Sequence, residues 1–414
     1  MTSLVTKHIV SSTGERQKLL VDGCSGVPLF YPNLYITSQI RGSAKSVATI
    51  QSFITSMKVL YSWSAEYSVD IEGRWKRAEW LKIWEVDSLR DFCSLALRQA
   101  LARKGKVVNI KQGRPVASNV NSPTKYVRMT FIADYLRWLA EVLNKEPGKG
   151  RRIEIDEMCK SIKSHRPKKK GRSDASREDK GLDPGLLQEV MEVSKPGHER
   201  NPYHGYSLQV RNAAIMALLH FLGIRRGELL NLRVDDIDFI ANELRVIRRA
   251  DSSVDSRIYQ PLVKTEERIL PISNRLAEIL SEYVTELRSV FPRARKHPYF
   301  FVTHKPGPYQ GEPLSNSGFG KLMSAMQGVA EEFSLVHAHA FRHSWNYRFS
   351  KALDEAGDAH SPEREEKMRS YLMGWKETSG TAATYNRRHI KEKAKEAILM
   401  YQRGIGRSGV ASDE

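Results

Sequence analysis

Ile50, Phe53, Ile54, Met57, Leu60 and Tyr61 recur at steps of three and four residues, so a helix here carries one continuous apolar face. Such a stripe must be buried against other elements. A second stripe, Leu89, Phe92, Cys93 and Leu97, can begin with Asp87 or Ser88 as its cap. A third follows Ser122-Pro123 and carries Val127, Phe131, Ile132, Tyr135, Leu136, Leu139 and Leu143. Together they predict a small helical domain over 42–148. Its tryptophans (Trp63, Trp75, Trp80, Trp84 and Trp138) are read as core, with stacking on bases the lesser alternative. Residues 1–41 hold short apolar stretches broken by Gly23, Gly26, Pro28 and Pro32, and are read as an N-terminal extension of strands or loops with no assigned role.

Gly148-Lys149-Gly150 closes that domain, and 149–180 is a basic polar stretch containing Lys160, Lys163, Arg166, Lys168, Lys169, Lys170 and Arg172. It is read as an exposed linker, either simply solvated or laid along a phosphate backbone. A second domain is expected over 181–403, followed by a flexible tail, 404–414. Helices are predicted over 208–222 and 225–232, strands over 244–247, 258–263 and 268–272, and helices over 274–290, 315–333 and 339–353. A charged loop over 354–365, a short helix over 367–373 and a last helix over 389–401 complete it. The fold class is therefore mainly α with a small antiparallel β-sheet.

Charge narrows the partners. Lys and Arg total 66 against 48 Asp and Glu, a net charge of +18, which draws the chain to a polyanion and makes binding salt-dependent. The cysteines, Cys24, Cys93 and Cys159, are odd in number and far apart, without metal spacing or a disulfide framework. The first twenty residues are too polar for a signal peptide, and no apolar run spans a bilayer. A cytoplasmic protein with no membrane partner is expected.

The second domain carries a set of groups with one chemistry in common. Gly223-Ile224-Arg225 is followed by Glu228, Val263-Lys264-Thr265 precedes Arg268-Ile269-Leu270-Pro271, and His339, Arg342 and His343 are followed by Gly374-Trp375 and then Tyr385. Transfer at a phosphodiester adds negative charge to the non-bridging oxygens, and fixed cations stabilise it. Arginine serves better than lysine, because its planar fork donates two parallel hydrogen bonds and keeps its charge. A tyrosine hydroxyl can attack, and the resulting covalent ester keeps the bond energy without ATP. The departing hydroxyl needs a proton, which a lysine or histidine supplies. The Trp375 indole N–H can only donate, which suits a phosphate oxygen.

The order and spacing of these residues resemble the tyrosine recombinase (phage integrase) family over roughly residues 181–400. The resemblance implies the catalytic set Arg225, Lys264, His339, Arg342, Trp375 and Tyr385, with Tyr385 as nucleophile, after the small-polar run 381–384. It also implies a helical core-binding (SAM-like) DNA-binding domain joined to an α+β catalytic domain. The resemblance further implies a 3′-phosphotyrosyl intermediate as product and double-stranded DNA carrying recombination sites as partner. A homotetramer on DNA, accessory DNA-bending proteins, a nucleoid-associated bacterial setting and a role in integrating or excising a mobile element are implied as well. No cofactor and no metal are expected. Lys45, Arg128, Arg137, Lys168, Lys169 and Lys170 are the candidate DNA contacts outside the catalytic set. A type IB topoisomerase and a non-catalytic DNA-binding protein are the competing readings.

Overall fold

The structure is a computed structural model and describes residues 4–42, 47–102, 119–144, 148–168, 181–355, 361–376, 394 and 398–400. The chain forms two compact units that divide after residue 171, with 12–15 counted in the second. The fold is mainly helical with two small antiparallel sheets.

The first unit opens with a hairpin of β1 (Leu4–Val10) and β2 (Arg16–Asp22), in which Leu4 pairs with Asp22 and Val10 with Arg16. Helix α1 (Phe30–Tyr35) continues into a π-helical turn over Ile36–Arg41. Leu20, Tyr35, Ile36 and Ile40 enter the same core as α2 (Val47–Glu66), so the expected separate extension is part of this unit. Five of the six predicted α2 stripe residues are fully buried, and Tyr61 lies against the core, its hydroxyl 2.8 Å from that of Tyr135. After α3 (Ile71–Lys76), helix α4 (Ile83–Phe92) starts earlier than predicted. The reason is Glu85, whose carboxylate accepts the Lys82 N–H at 2.7 Å, leaving Asp87 and Ser88 inside the helix. Helix α5 is Leu97–Ala102, and α6 (Ser122–Leu143) is capped by Asn121, which accepts from Thr124 N at 3.0 Å.

Helix α7 (Lys149–Ser164) corrects the expected linker over its first half. Ile155, Met158, Cys159 and Ile162 recur at helical spacing and are buried in the first unit's core, while the basic residues face outward. Trp63 and Trp75 are buried and donate to Ser88 Oγ and Leu136 O at 2.9 and 3.0 Å. Trp84 departs from the core reading: it is exposed, with the Lys82 ammonium 4.9 Å from its ring. Burial pushes the Cys93 and Cys159 thiols up to about 12 and about 11, so both are inert core residues.

The second unit is built around α9 (Tyr206–Leu222), which follows α8 (Pro184–Val193). Ala214, Ile215, Met216, Leu218 and Leu219 are all buried, so this helix is covered on every side. After α10 (Arg226–Asn231) comes a three-stranded antiparallel sheet in the order β3 (Ile237–Asp238), β4 (Glu243–Val246), β5 (Arg268–Pro271). The predicted strand over 258–263 is absent. Side chains at and beside that segment bond backbone elsewhere instead of a ladder partner: Gln260 accepts from Ser252 N and donates to Ala250 O, and Arg257 donates to Leu230 O and Leu314 O. The remaining helices are α11 (Asn274–Glu282), running into a π-helical turn over Tyr283–Arg288, α12 (Asn316–Gln327), α13 (Ala338–Glu355) and α14 (Pro362–Met373). The predicted last helix lies almost wholly outside the described residues. Among the described residues, no helix is long and apolar enough to cross a membrane.

Candidate active site

Helix α9 ends at Gly223 in the left-handed conformation, φ 58°, and a Cβ there would lie 2.8 Å from the Trp345 ring. The chain then turns through buried Ile224 and presents Arg225 as the residue that starts α10. Glu228, three positions on, accepts the Arg225 backbone N–H at 3.1 Å and lies 3.5 Å from its Nη1. The Arg225 side chain keeps 36% of its surface exposed. Its guanidinium is therefore held only loosely, through Nη1, on a side chain that stays partly open to solvent.

Arg342 reaches the same place from α13. Its Nη1 donates to Gly223 O and its Nη2 to Met373 O, both at 2.8 Å. Arg225 Nη1 approaches that Met373 carbonyl at 3.5 Å. Two guanidiniums distant in the chain thus converge at the C-terminal end of α14, where unsatisfied carbonyls and the helix dipole attract cations. Trp375 lies just beyond that helix end, with the Arg342 guanidinium 5.3 Å from its ring, and packs beside Met373. Gly374 takes φ 60° to make this turn.

His339 is exposed on the first turn of α13, its ring centroid 4.4 Å from that of His343 in an edge-to-face pair. The helix starts where the His337 ring accepts the Ala340 N–H at 3.0 Å. Lys264 is exposed on an irregular segment ahead of β5. Its neighbours are tied into the cluster: Thr265 Oγ1 donates to Glu228 Oε1 at 2.7 Å, and Glu266 N donates to Gly374 O at 3.0 Å. Tyr385 lies outside the described residues.

Glu228 is the electrostatic hub. Burial raises its pKa, but the charges of Arg268 and Arg342 and bonds from Arg268 and Thr265 outweigh that and hold it below the ordinary carboxylate value. Arg268, which the sequence marks only as the residue that opens a strand, is also a network member. Its signal was strand alternation: with Leu270 and Ile272 inward, a period of two puts Arg268 on the buried face.

The candidate DNA contacts fare unevenly. Arg128 is buried and donates to Cys93 O and Leu95 O at 3.0 and 2.6 Å, so it ties α6 to the α4–α5 turn and is unavailable to DNA. A buried guanidinium without such bonds would be costly, which is why the fold uses it there. Arg137 is half-exposed and paired with Asp156 and Glu141. Lys168 is exposed, and Lys45, Lys169 and Lys170 lie outside the described residues. Among the described residues no cluster of three metal-ligating side chains occurs.

Residues 187–391 match the phage integrase family. The chain is 25% identical over 159 residues to the tyrosine recombinase XerD of Halalkalibacterium halodurans, covering 38% of this chain and 45% of that one. It is 28% identical over 172 residues to the XerC recombinase of Roseiflexus castenholzii, covering 40% and 45%. The match thus spans less than half the length of these curated relatives. Among solved structures, an integrase of transposon Tn1549 in complex with circular intermediate DNA aligns at 16% identity and a TM-score of 0.40, over 71% of this chain and 94% of that one.

Proposed function

Because this chain belongs to the phage integrase family of tyrosine recombinases, we propose that it is a site-specific recombinase that cleaves and rejoins double-stranded DNA through a 3′-phosphotyrosyl intermediate. The observation that carries the reading is the convergence of Arg225 and Arg342 on one helix end beside Trp375.

In the proposed step a phosphate takes the place beside the two guanidiniums now turned to the Met373 carbonyl. Arg225 and Arg342 hold its non-bridging oxygens, and the Trp375 indole N–H donates to one of them. The Tyr385 oxygen attacks phosphorus and gives its proton to an acceptor, for which exposed His339 is placed on the same helix as Arg342. The new Tyr–phosphate bond forms as the bond to the 5′ oxygen breaks, and Lys264 gives that oxygen its proton. Religation runs the same steps backward. Arg137 and Lys168, with Lys45, Lys169 and Lys170, are proposed as backbone contacts that position the duplex. A homotetramer on paired sites, accessory DNA-bending proteins, a cytoplasmic, nucleoid-associated setting and a role in moving a mobile element complete the reading.

Trapping tests it. The protein is incubated with a library of nicked duplexes of random sequence, and covalent adducts are isolated and their DNA read. Wild type is expected to yield an adduct enriched in one sequence, and Tyr385→Phe to bind that duplex without forming one. An adduct that survives Tyr385→Phe but disappears in Tyr371→Phe or Tyr401→Phe would move the nucleophile. Relaxation of any supercoiled plasmid, without sequence enrichment, would favour a topoisomerase.

A further inference from the structure

Arg268 has a fully enclosed side chain, 0% exposed. It donates to Glu228 Oε2 at 2.8 Å, Leu372 O at 2.7 Å, Thr265 Oγ1 at 3.2 Å and Glu266 O at 3.4 Å. One planar fork therefore touches three separate pieces of chain: the first turn of α10, the end of α14, and the two residues that follow Lys264. Gly374 seals the arrangement from the other side. A Cβ there would come 2.7 Å from Arg268 Nη1 and 2.8 Å from Thr265 Cβ, so there is no slack for the segment to shift.

Stability alone is a poor reason for this pair. Two apolar side chains of similar volume often serve a core as well as a buried ion pair does. What the fork supplies that apolar packing does not is direction, because each donor fixes a bond angle as well as a distance. We propose that Arg268 is a positioning residue for strand cleavage, fixing the backbone beside Lys264 so that its ammonium is held at the departing 5′ oxygen. This rests on the reading of Lys264 as proton donor given above. Arg225 and Arg342 hold the phosphate; Arg268 never touches it, and acts through the segment carrying the acid. The same guanidinium also grips Leu372 O, which keeps that segment in register with the helix end where the phosphate-binding arginines meet.

The chemistry supplies a readout that a merely structural role would not move. With an oxygen leaving group the P–O bond breaks and the alkoxide must gain a proton. With sulfur in that bridging position the P–S bond breaks and the thiolate leaves unprotonated, since a thiol already ionises near about pH 8.5. Wild type, Lys264→Ala and Arg268→Gln are compared on the trapped duplex with oxygen and with sulfur at the 5′ bridge, alongside DNA affinity. Arg268→Gln is expected to cleave the oxygen duplex about a hundredfold more slowly, with affinity unchanged, and the sulfur duplex within about tenfold of wild type. Lys264→Ala should show the same rescue. If sulfur rescues Lys264→Ala but not Arg268→Gln, the positioning role is overturned while the function of Lys264 stands. If Lys264→Ala is not rescued, or wild type forms no adduct with any duplex, the reading beneath it fails and the role of Arg268 fails with it. Should Arg268→Gln not fold, Arg268→Lys or Thr265→Val is put through the same comparison, and absence of sulfur rescue again overturns the role.

Discussion

In both units buried arginines bond backbone carbonyls, and the second unit holds more of them. In the first, long helices satisfy their own backbones, and the core is aromatic and aliphatic: Phe53, Trp63, Trp75 and Tyr135. Arg128 is buried there to bond two carbonyls at a helix junction. In the second unit short strands and irregular connections leave many carbonyls without ladder partners, and buried arginines meet them. Arg211 bonds Val302 O, and Arg288 bonds Ala294, His297 and Tyr299 O. The lesson concerns the site. Where guanidiniums are already used as backbone clasps, an arginine near a helix end is no marker of phosphate binding. Arg225 stands apart because its side chain stays partly exposed, and Arg342 because it shares a carbonyl with Arg225.

That contrast can be broken by substitution. The largest loss is expected from Arg257→Met in the second unit. Removing that clasp takes the guanidinium away from buried Asp255, at a cost of about 3–5 kcal/mol in denaturant unfolding. A loss under 1 kcal/mol would show that these arginines are not what holds the irregular segments.

Next come the two converging arginines. Arg225→Ala should slow strand cleavage about 10²–10³-fold with little change in melting temperature or DNA affinity. Arg342→Ala should slow it as much and also lower the melting temperature, since Gly223 O and Met373 O lose their donor. Equal thermal damage from both would erase the distinction drawn between them.

Arg128→Met should destabilise the first unit by about 1–3 kcal/mol, because two buried carbonyls lose their donor. Cleavage per folded molecule, and affinity per folded molecule, should stay unchanged. A large selective loss of DNA affinity would return Arg128 to the DNA-contacting set.

The smallest effect depends on pH and belongs to the second unit. Burial lowers His304 to about 3 and His220 to about 4, with the charges of Arg211 and Arg348 adding to it. Both folded values lie below the unfolded value of 6.5, so the unfolded chain takes the protons first. The contribution is complete above about pH 6.5 and falls as pH drops toward the folded values; for His304 it is smaller by about 2 kcal/mol at pH 5. Unfolding of wild type and His304→Gln between pH 7 and 5 checks it; parallel curves would remove His304 from the account.

Much of this was legible in the chain. The α2 and α6 stripes needed only periodicity, and the helix–sheet–helix order of the second unit needed only the change from a period of three or four to a period of two. The helix expected over 225–232 is present as Arg226–Asn231. What escaped was set by neighbours distant in sequence. The strand expected over 258–263 had the right residues but no ladder partner, and Lys264 sits on that irregular stretch. The stretch 149–164 was read by its charge as a linker, yet Ile155, Met158, Cys159 and Ile162 make a helix face that α6 covers. Glu85, and not Asp87 or Ser88, capped α4, because Ser88 faces Trp63.

By itself the sequence determined which stretches carry an apolar face and in what order helices and strands follow, since both depend on residues a few positions apart. It also determined which groups able to bind or attack a phosphate are present. Only the tertiary structure decided which cations are buried on carbonyls, as Arg128 and Arg268 are, and which keep a partly exposed side chain, as Arg225 does. A guanidinium looks the same in either setting along the chain; its surroundings come from elements that meet only when the chain has folded.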